Sequence, residues 1–203
     1  DDRGMMSIEE KKLNEKIVDE FSNVANLFRS HGKTDNSDIN FLGMTENTRV
    51  NPSGYRVDVS NAAKRGFYLG TPLPGIIKVD ETNNVLIIKN NSRVSDPIEL
   101  RKDNYTLGSL AKTIQNRLVE DKALGRRNLQ VREEEGRLKI ISGTFGNSST
   151  IEVEPGPDKD LRSLGLTGGI STPGEDVAGS IGNVEATGRG QLLVGAKESN
   201  TDG

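Results

Sequence analysis

The sequence predicts an α+β fold: an N-terminal amphipathic helix followed by a β-rich module of antiparallel strands with one packed helix. Three observations carry that prediction. Apolar residues near the N-terminus recur at helical steps, several later segments alternate with a period of two, and a glycine-punctuated run closes the chain.

The first element is the clearest helix. Ser7 is placed to cap it with Glu10 completing a capping box, and Leu13, Ile17, Phe21, Val24 and Phe28 then form a stripe that Val18, Ala25 and Leu27 widen. The spacing predicts a helix over residues 8–29, about 33 Å long at the standard rise. Its apolar face requires a partner. Gly32 and the polar run Lys33–Asp38 end it, and Ile39, Phe41, Leu42 and Met44 make a short apolar patch in the connector that follows.

From Gly54 the period becomes two. Tyr55, Val57 and Val59 alternate with Arg56, Asp58 and Ser60, which predicts a half-buried strand ending near Ala62 and Ala63. The stretch from Gly66 to Gly75, with Pro72 and Pro74, reads as a crossing between subdomains. Residues 76–153 read as one compact unit. A strand at Val85–Ile88, a turn at Asn90–Ser92 and a return strand at Ile98 and Leu100 lead to a helix. Thr106 is its expected cap, and Leu107, Leu110, Ala111, Ile114 and Leu118 give it one narrow apolar face. Leu129 and Val131, a turn at Glu133–Gly136, and Leu138, Ile140 and Ile141 predict a hairpin. A polar turn at Thr144–Ser149 leads to a last strand through Ile151 and Val153. The helix is expected to lie on a single antiparallel sheet.

After a loop at Pro155–Asp160 and one helical turn at Leu161–Leu166 comes the stretch Gly174–Leu193. Its apolar residues Val177, Ile181, Val184, Leu192 and Leu193 are separated by glycines 174, 179, 182, 188 and 190, so short strands joined by tight turns are expected. A phosphate cradle does not fit, since no Gly-Lys-Ser/Thr ends the run and no apolar helix follows it.

Composition narrows the function. Apolar residues are 32% and aromatics 4% of the 203 residues, so the core is expected to be thin. With 27 Lys and Arg against 30 Asp and Glu, the net charge of −3 supplies no field for a nucleic-acid partner, and no apolar run is long enough for membrane insertion. There is no cysteine, and His31 is the sole histidine, expected to meet the first helix's C-terminus. Thiolate metal sites and Ser-His or Cys-His nucleophiles are therefore not expected. The carboxylate groups Asp80 with Glu81, Glu133–Glu135, and Asp158 with Asp160 fall in predicted turns, where charge is simply solvated. Asp35, Asn36, Ser37 and Asp38 lack the glycine and distal glutamate of a calcium loop. Tyr55, Tyr68 and Tyr105 and Phe41, Phe67 and Phe145 are assigned to packing rather than to base stacking. The expectation is a non-enzymatic structural or binding module with no catalytic, cofactor or metal residue.

Several stretches together resemble the bacterial flagellar filament cap family, flagellar hook-associated protein 2. Gly4-Met5-Met6-Ser7-Ile8-Glu9-Glu10-Lys11-Lys12-Leu13, leading to Val24-Ala25-Asn26-Leu27-Phe28, is similar to the family's Gly, apolar, Ser-Ile-Asp and Lys-Leu helix. Gly54-Tyr55-Arg56-Val57-Asp58-Val59-Ser60-Asn61-Ala62-Ala63 resembles its strand ending in paired alanines. Tyr105-Thr106-Leu107 through Ile114-Gln115-Asn116, with Gly136–Ser142 and Gly146–Ser149, resembles its recurring strand and helix module. Asp176–Ile181 with Ala186–Gln191 is similar to a family segment normally followed by a Gly-Leu strand. Glu9 stands where the family usually has Asp, and Gly182-Asn183 where Asn-Gly is common.

The resemblance implies a structural component of the filament cap that assists assembly of exported flagellin at the filament tip. An exposed adhesin or receptor-binding module on the cap is the alternative. The implied partners are flagellin, further copies of the chain in a cap ring, and hook-filament junction proteins. The implied location is the extracellular flagellum, reached through the flagellar type III system. No partner-contact residue carries over. The family's terminal coiled-coil regions fall outside this sequence, which is expected to be an internal fragment. The expected organisation is a helical segment and connector at 1–47, an outer β subdomain at 48–66 plus 173–203, and an inserted α+β subdomain at 67–172. The Tyr55 strand is expected to pair with the C-terminal glycine-rich stretch.

Overall fold

A computed structural model of the chain describes residues 9–21, 32–73 and 75–203. Two compact units are present, one formed by Asp1–Pro52 with Lys197–Gly203 and the other by Ser53–Ala196. The expected roles of Ser7, Val24, Ala25, Leu27, Phe28, His31 and Pro74 lie outside the described residues.

In the first unit, helix α1 (Glu10–Asp19) buries none of its residues, and Val18 and Phe21 are 82% and 67% exposed. The N-cap is Glu9, without a side-chain cap. Glu20 leaves helical geometry at φ −135° and ψ 43°, which interrupts the unbroken helix expected over 8–29. Among its described residues α1 buries nothing, so local propensity and exposed pairs such as Lys12–Glu9, which are worth little, are what hold it there. Farther on, the hydroxyls of Thr45 and Thr48 both donate to the Asp202 carbonyl at 2.7 Å, and the Arg49 amide donates to Asn200, so the last residues return to the connector.

The second unit is built from antiparallel strands. Strand β2 (Arg65–Leu69) lies inside a four-stranded sheet ordered β11-β2-β9-β8, with β8 at Gln130–Glu134, β9 at Arg137–Phe145 and β11 at Ile170–Thr172. The reading of Gly66–Gly75 as a crossing is corrected here. Gly66 is a point of close backbone approach and not a breaker, because a methyl group on it would overlap the Ser149 carbonyl. Strand β4 (Val85–Asn90) pairs with β10 (Ile151–Pro155) on one side and with the short β5 (Arg93–Val94) and β6 (Ile98–Glu99) on the other. A small ladder joins β3 (Ile77–Val79) to β7 (Asp103–Tyr105). The single sheet expected under the helix is thus divided into separate ladders.

Helix α2 (Leu107–Glu120) forms where the spacing places it. The Thr106 side chain accepts a hydrogen bond from the Ser109 amide at 3.2 Å, and Leu107, Leu110, Ala111, Ile114 and Leu118 are all buried. Leu110 and Ile114 meet Leu86, Ile88, Leu138 and Ile140 in one core, where each such side chain contributes about 1.5–3 kcal/mol. Gln115 does something else. Its amide nitrogen donates to the Leu129 carbonyl at 3.1 Å and its oxygen accepts from the Val131 amide at 2.7 Å, so a helix side chain occupies backbone groups on the open edge of β8.

The closing stretch is β structure, as its glycines imply. β1 (Val57–Asn61), β12 (Ala178–Ile181), β13 (Val184–Arg189) and β14 (Leu192–Val194) form one four-stranded sheet in that order. The expected pairing of the Tyr55 strand with this stretch is present, with Val57 opposite Ile181 and Val59 opposite Gly179. Between β12 and β13, Gly182 and Asn183 have φ of 63° and 65°, the pair of left-handed residues that a two-residue hairpin turn needs. Reversing Asn-Gly to Gly-Asn keeps the turn type.

Candidate functional site

The residues that tie this closing sheet to the rest of the second unit converge where the chain passes between it and the β11-β2-β9-β8 sheet. Lys64 and Glu175 exchange backbone hydrogen bonds at 2.9 and 3.1 Å, and their side chains form an ion pair at 2.8 Å. The Gly146 amide also donates to the Lys64 carbonyl, and the Gly174 amide to that of Ser149. Gly174 is required by this crowding, since a methyl group there would strike the Lys64 and Gly146 carbonyls. Beside it, the Asp176 carboxylate accepts from the Gly190 amide at 2.6 Å and from the Asn147 amide at 3.2 Å. One side chain therefore holds the β13–β14 turn against the β9–β10 loop. This is an architectural joint: both hydrogen bonds fall on one carboxylate oxygen, Oδ1, so a single acceptor ties two separate loops together.

Three of the carboxylates considered from sequence, Asp80, Asp160 and Glu134, are similarly engaged. Asp80 accepts from the Thr82 hydroxyl at 2.7 Å and the Thr82 amide at 3.0 Å, and these bonds hold its carboxyl below the ordinary carboxylate range. Asp160 accepts from the Arg162 side chain and amide, with the same direction of shift and that cause. The two loops do meet, because the Asp160 amide donates to the Thr82 carbonyl at 2.9 Å and Lys159 donates to the Glu81 carbonyl at 2.6 Å. They meet through backbone and lysine. Glu134 pairs with Lys139 and Arg132, which lower its pKa, Lys139 first. Depressed carboxylates stay ionised at neutral pH, the wrong direction for a general acid. Among the described residues no cluster of three or more His, Asp or Glu side chains is arranged to hold a metal ion. In the Asp35–Asp38 loop the Asn36 oxygen instead accepts from the Asp38 amide at 2.8 Å, closing a local turn.

The aromatic residues divide in a way that sequence does not show. Tyr68 is buried, donating to the Leu166 carbonyl at 2.9 Å and accepting from Gly169, and burial pushes its hydroxyl pKa up. Phe67 and Phe145 face the other way. The Lys139 ammonium lies 4.4 Å from the Phe67 ring centre and the Arg65 guanidinium 4.7 Å from that of Phe145, so these rings line an outer sheet face. An open depression of about 450 Å³ runs between Asp96–Lys102 and the end of α2, lined by charges of both signs. It converges on no single chemistry.

No protein-family model matches this chain, and no curated protein sequence matches it. Among solved structures, the flagellar cap protein FliD from Bdellovibrio bacteriovorus is similar at a TM-score of 0.45 and 14% identity, covering 78% of this chain and 86% of that one. A structural neighbour of this chain is thus a flagellar cap protein. At that level the likeness to the Bdellovibrio cap protein settles neither family nor function.

Proposed function

We propose that this chain is a non-enzymatic structural module of the bacterial flagellar filament cap, assisting the assembly of exported flagellin at the filament tip. Flagellin and further copies of the chain are its partners in this reading, and the outside of the cell is where it works. The ordered sequence resemblances support it, and one observation of the fold carries it. Gly54–Ala63 and Asp176–Gln191, two of the stretches that resemble the cap family, lie at opposite ends of the second unit. They nevertheless meet as β1, β12 and β13 of one sheet. Such a closure lets an inserted module be carried without disturbing the chain on either side.

The test is deletion of residues 53–196 from the protein in its motile host, with the abundance of the shortened protein checked. Filaments are expected to be lost or shortened, motility to fall, and unpolymerised flagellin to accumulate in the medium. Filament length and motility unchanged at equal protein abundance would overturn the proposal.

A further inference from the structure

The outer face of the β11-β2-β9-β8 sheet sets basic side chains around apolar ones. Register places Ile170 beside Leu69, Thr172 beside Phe67, Phe67 beside Ile141 and Arg65 beside Phe145 on this face. It continues across β8, where Arg132 lies opposite Lys139 and Glu134 opposite Arg137. The charged groups are therefore Arg65, Arg132, Arg137 and Lys139 against Glu134 alone, a local positive excess in a chain whose net charge is −3. The opposite face of the same strands, through Tyr68, Leu138, Ile140 and Ser142, is buried in the core. The outer face remains accessible: Ile170 is 60% exposed and the Arg132 side chain 54%.

We propose that this sheet face docks an acidic protein surface, with carboxylates set around an apolar centre. The proposal goes beyond the filament cap reading and does not rest on it. Three features select that occupant. The cations surround a patch of Leu69, Phe67, Ile141 and Ile170, and arginine and aromatic residues around an apolar centre are the composition of protein interfaces. Both rings are already covered, Phe67 by Lys139 and Phe145 by Arg65, so neither offers the free face that a base or a sugar would stack upon. The Lys139 side chain is only 16% exposed, over an apolar ring and beside Glu134. Lys139 and Arg132 share the single Glu134 carboxylate, so the group keeps a net positive charge that an incoming carboxylate can pair.

The experiment uses the full chain and three probes: a short peptide of alternating glutamate and leucine, a heparin oligosaccharide and a single-stranded oligonucleotide. Amide chemical shifts and fluorescence anisotropy report binding. The peptide is expected to bind, to shift amides of residues 65–69, 130–134, 137–145 and 170–172, and to weaken as salt rises. Arg132→Glu is expected to weaken it by about tenfold or more, and Arg65→Gln to weaken it less, each with an unchanged circular dichroism spectrum. Lys112→Glu, on the exposed side of α2, is expected to leave it unaltered. Absence of peptide binding, shifts confined to other residues, or affinity indifferent to Arg132→Glu and Arg65→Gln overturns the proposal. Tighter binding of heparin or of the oligonucleotide at these same amides also overturns it, in favour of a polyanion.

Discussion

Asp176 shows how one side chain decides a tertiary relation. Its carboxylate satisfies two backbone amides from separate loops, Gly190 and Asn147, so Asp176→Ala leaves both donors without that acceptor. A loss of about 1–3 kcal/mol is expected in urea unfolding, with Asp176→Asn costing less because its amide oxygen still accepts. Gly174→Ala is expected to destabilise by a similar amount, of order 1–3 kcal/mol, through overlap with the Lys64 and Gly146 carbonyls. Titration follows the same local logic. Asp80, Asp160, Glu134 and Glu175 all have pKa values depressed by the partners that donate to them. A depressed carboxylate stabilises the fold above its ordinary pKa and loses that contribution as pH falls through the folded value. The melting temperature should therefore drop below about pH 4. Tyr68, raised by burial, acts at the other end: the unfolded phenol ionises first, so stability falls again above about pH 10.

At the level of elements, α2 and β8 depend on each other. The helix buries its stripe on the sheet, and its Gln115 covers the strand edge that would otherwise present unpaired backbone. Gln115→Ala uncovers both the Leu129 carbonyl and the Val131 amide, and a cost of about 1–3 kcal/mol is expected from chemical denaturation. The variant is also expected to aggregate faster near its melting temperature, read by light scattering, because the β8 edge is opened. Ile114→Ala tests the other half of the contact. It removes a fully buried side chain from the core and should cost about 2–5 kcal/mol without exposing that edge. Equal aggregation rates for the two variants at matched stability would refute the edge-covering role.

Across the whole molecule, protection is distributed unevenly between the two units. The core lies in the second unit, around Leu86, Ile88, Leu110, Ile114, Leu138 and Ile140, whereas α1 has no buried residue. Hydrogen exchange should find the amides of 110–118 and 138–142 opening only with global unfolding, and those of α1 exchanging orders of magnitude faster. Comparable protection of α1 in the isolated chain would contradict this picture. Among the described residues, Ile17, Val18 and Phe21 are exposed on either side of the break in helical geometry at Glu20. Periodicity specifies which face seeks cover, and without cover it does not guarantee an unbroken helix.

What the sequence determined by itself was local. Thr106 and the Leu107–Leu118 stripe fixed α2 because capping and the 3.6-residue period act within a few residues. The alternation at Val57–Val59 and the glycines after Gly174 likewise fixed strands and turns, down to the Gly182–Asn183 pair. Tertiary structure alone decided the rest. Gly66 reads as a breaker until Ser149 is seen against it, and Phe67 and Phe145 read as core until their cations place them on the outer face. Asp176 stands in the sequence only as the start of the Asp176–Ile181 stretch, with nothing beside it that singles out its carboxylate. Its two amide partners come from distant loops, and no property of neighbouring residues encodes contacts that arise only when the chain has closed.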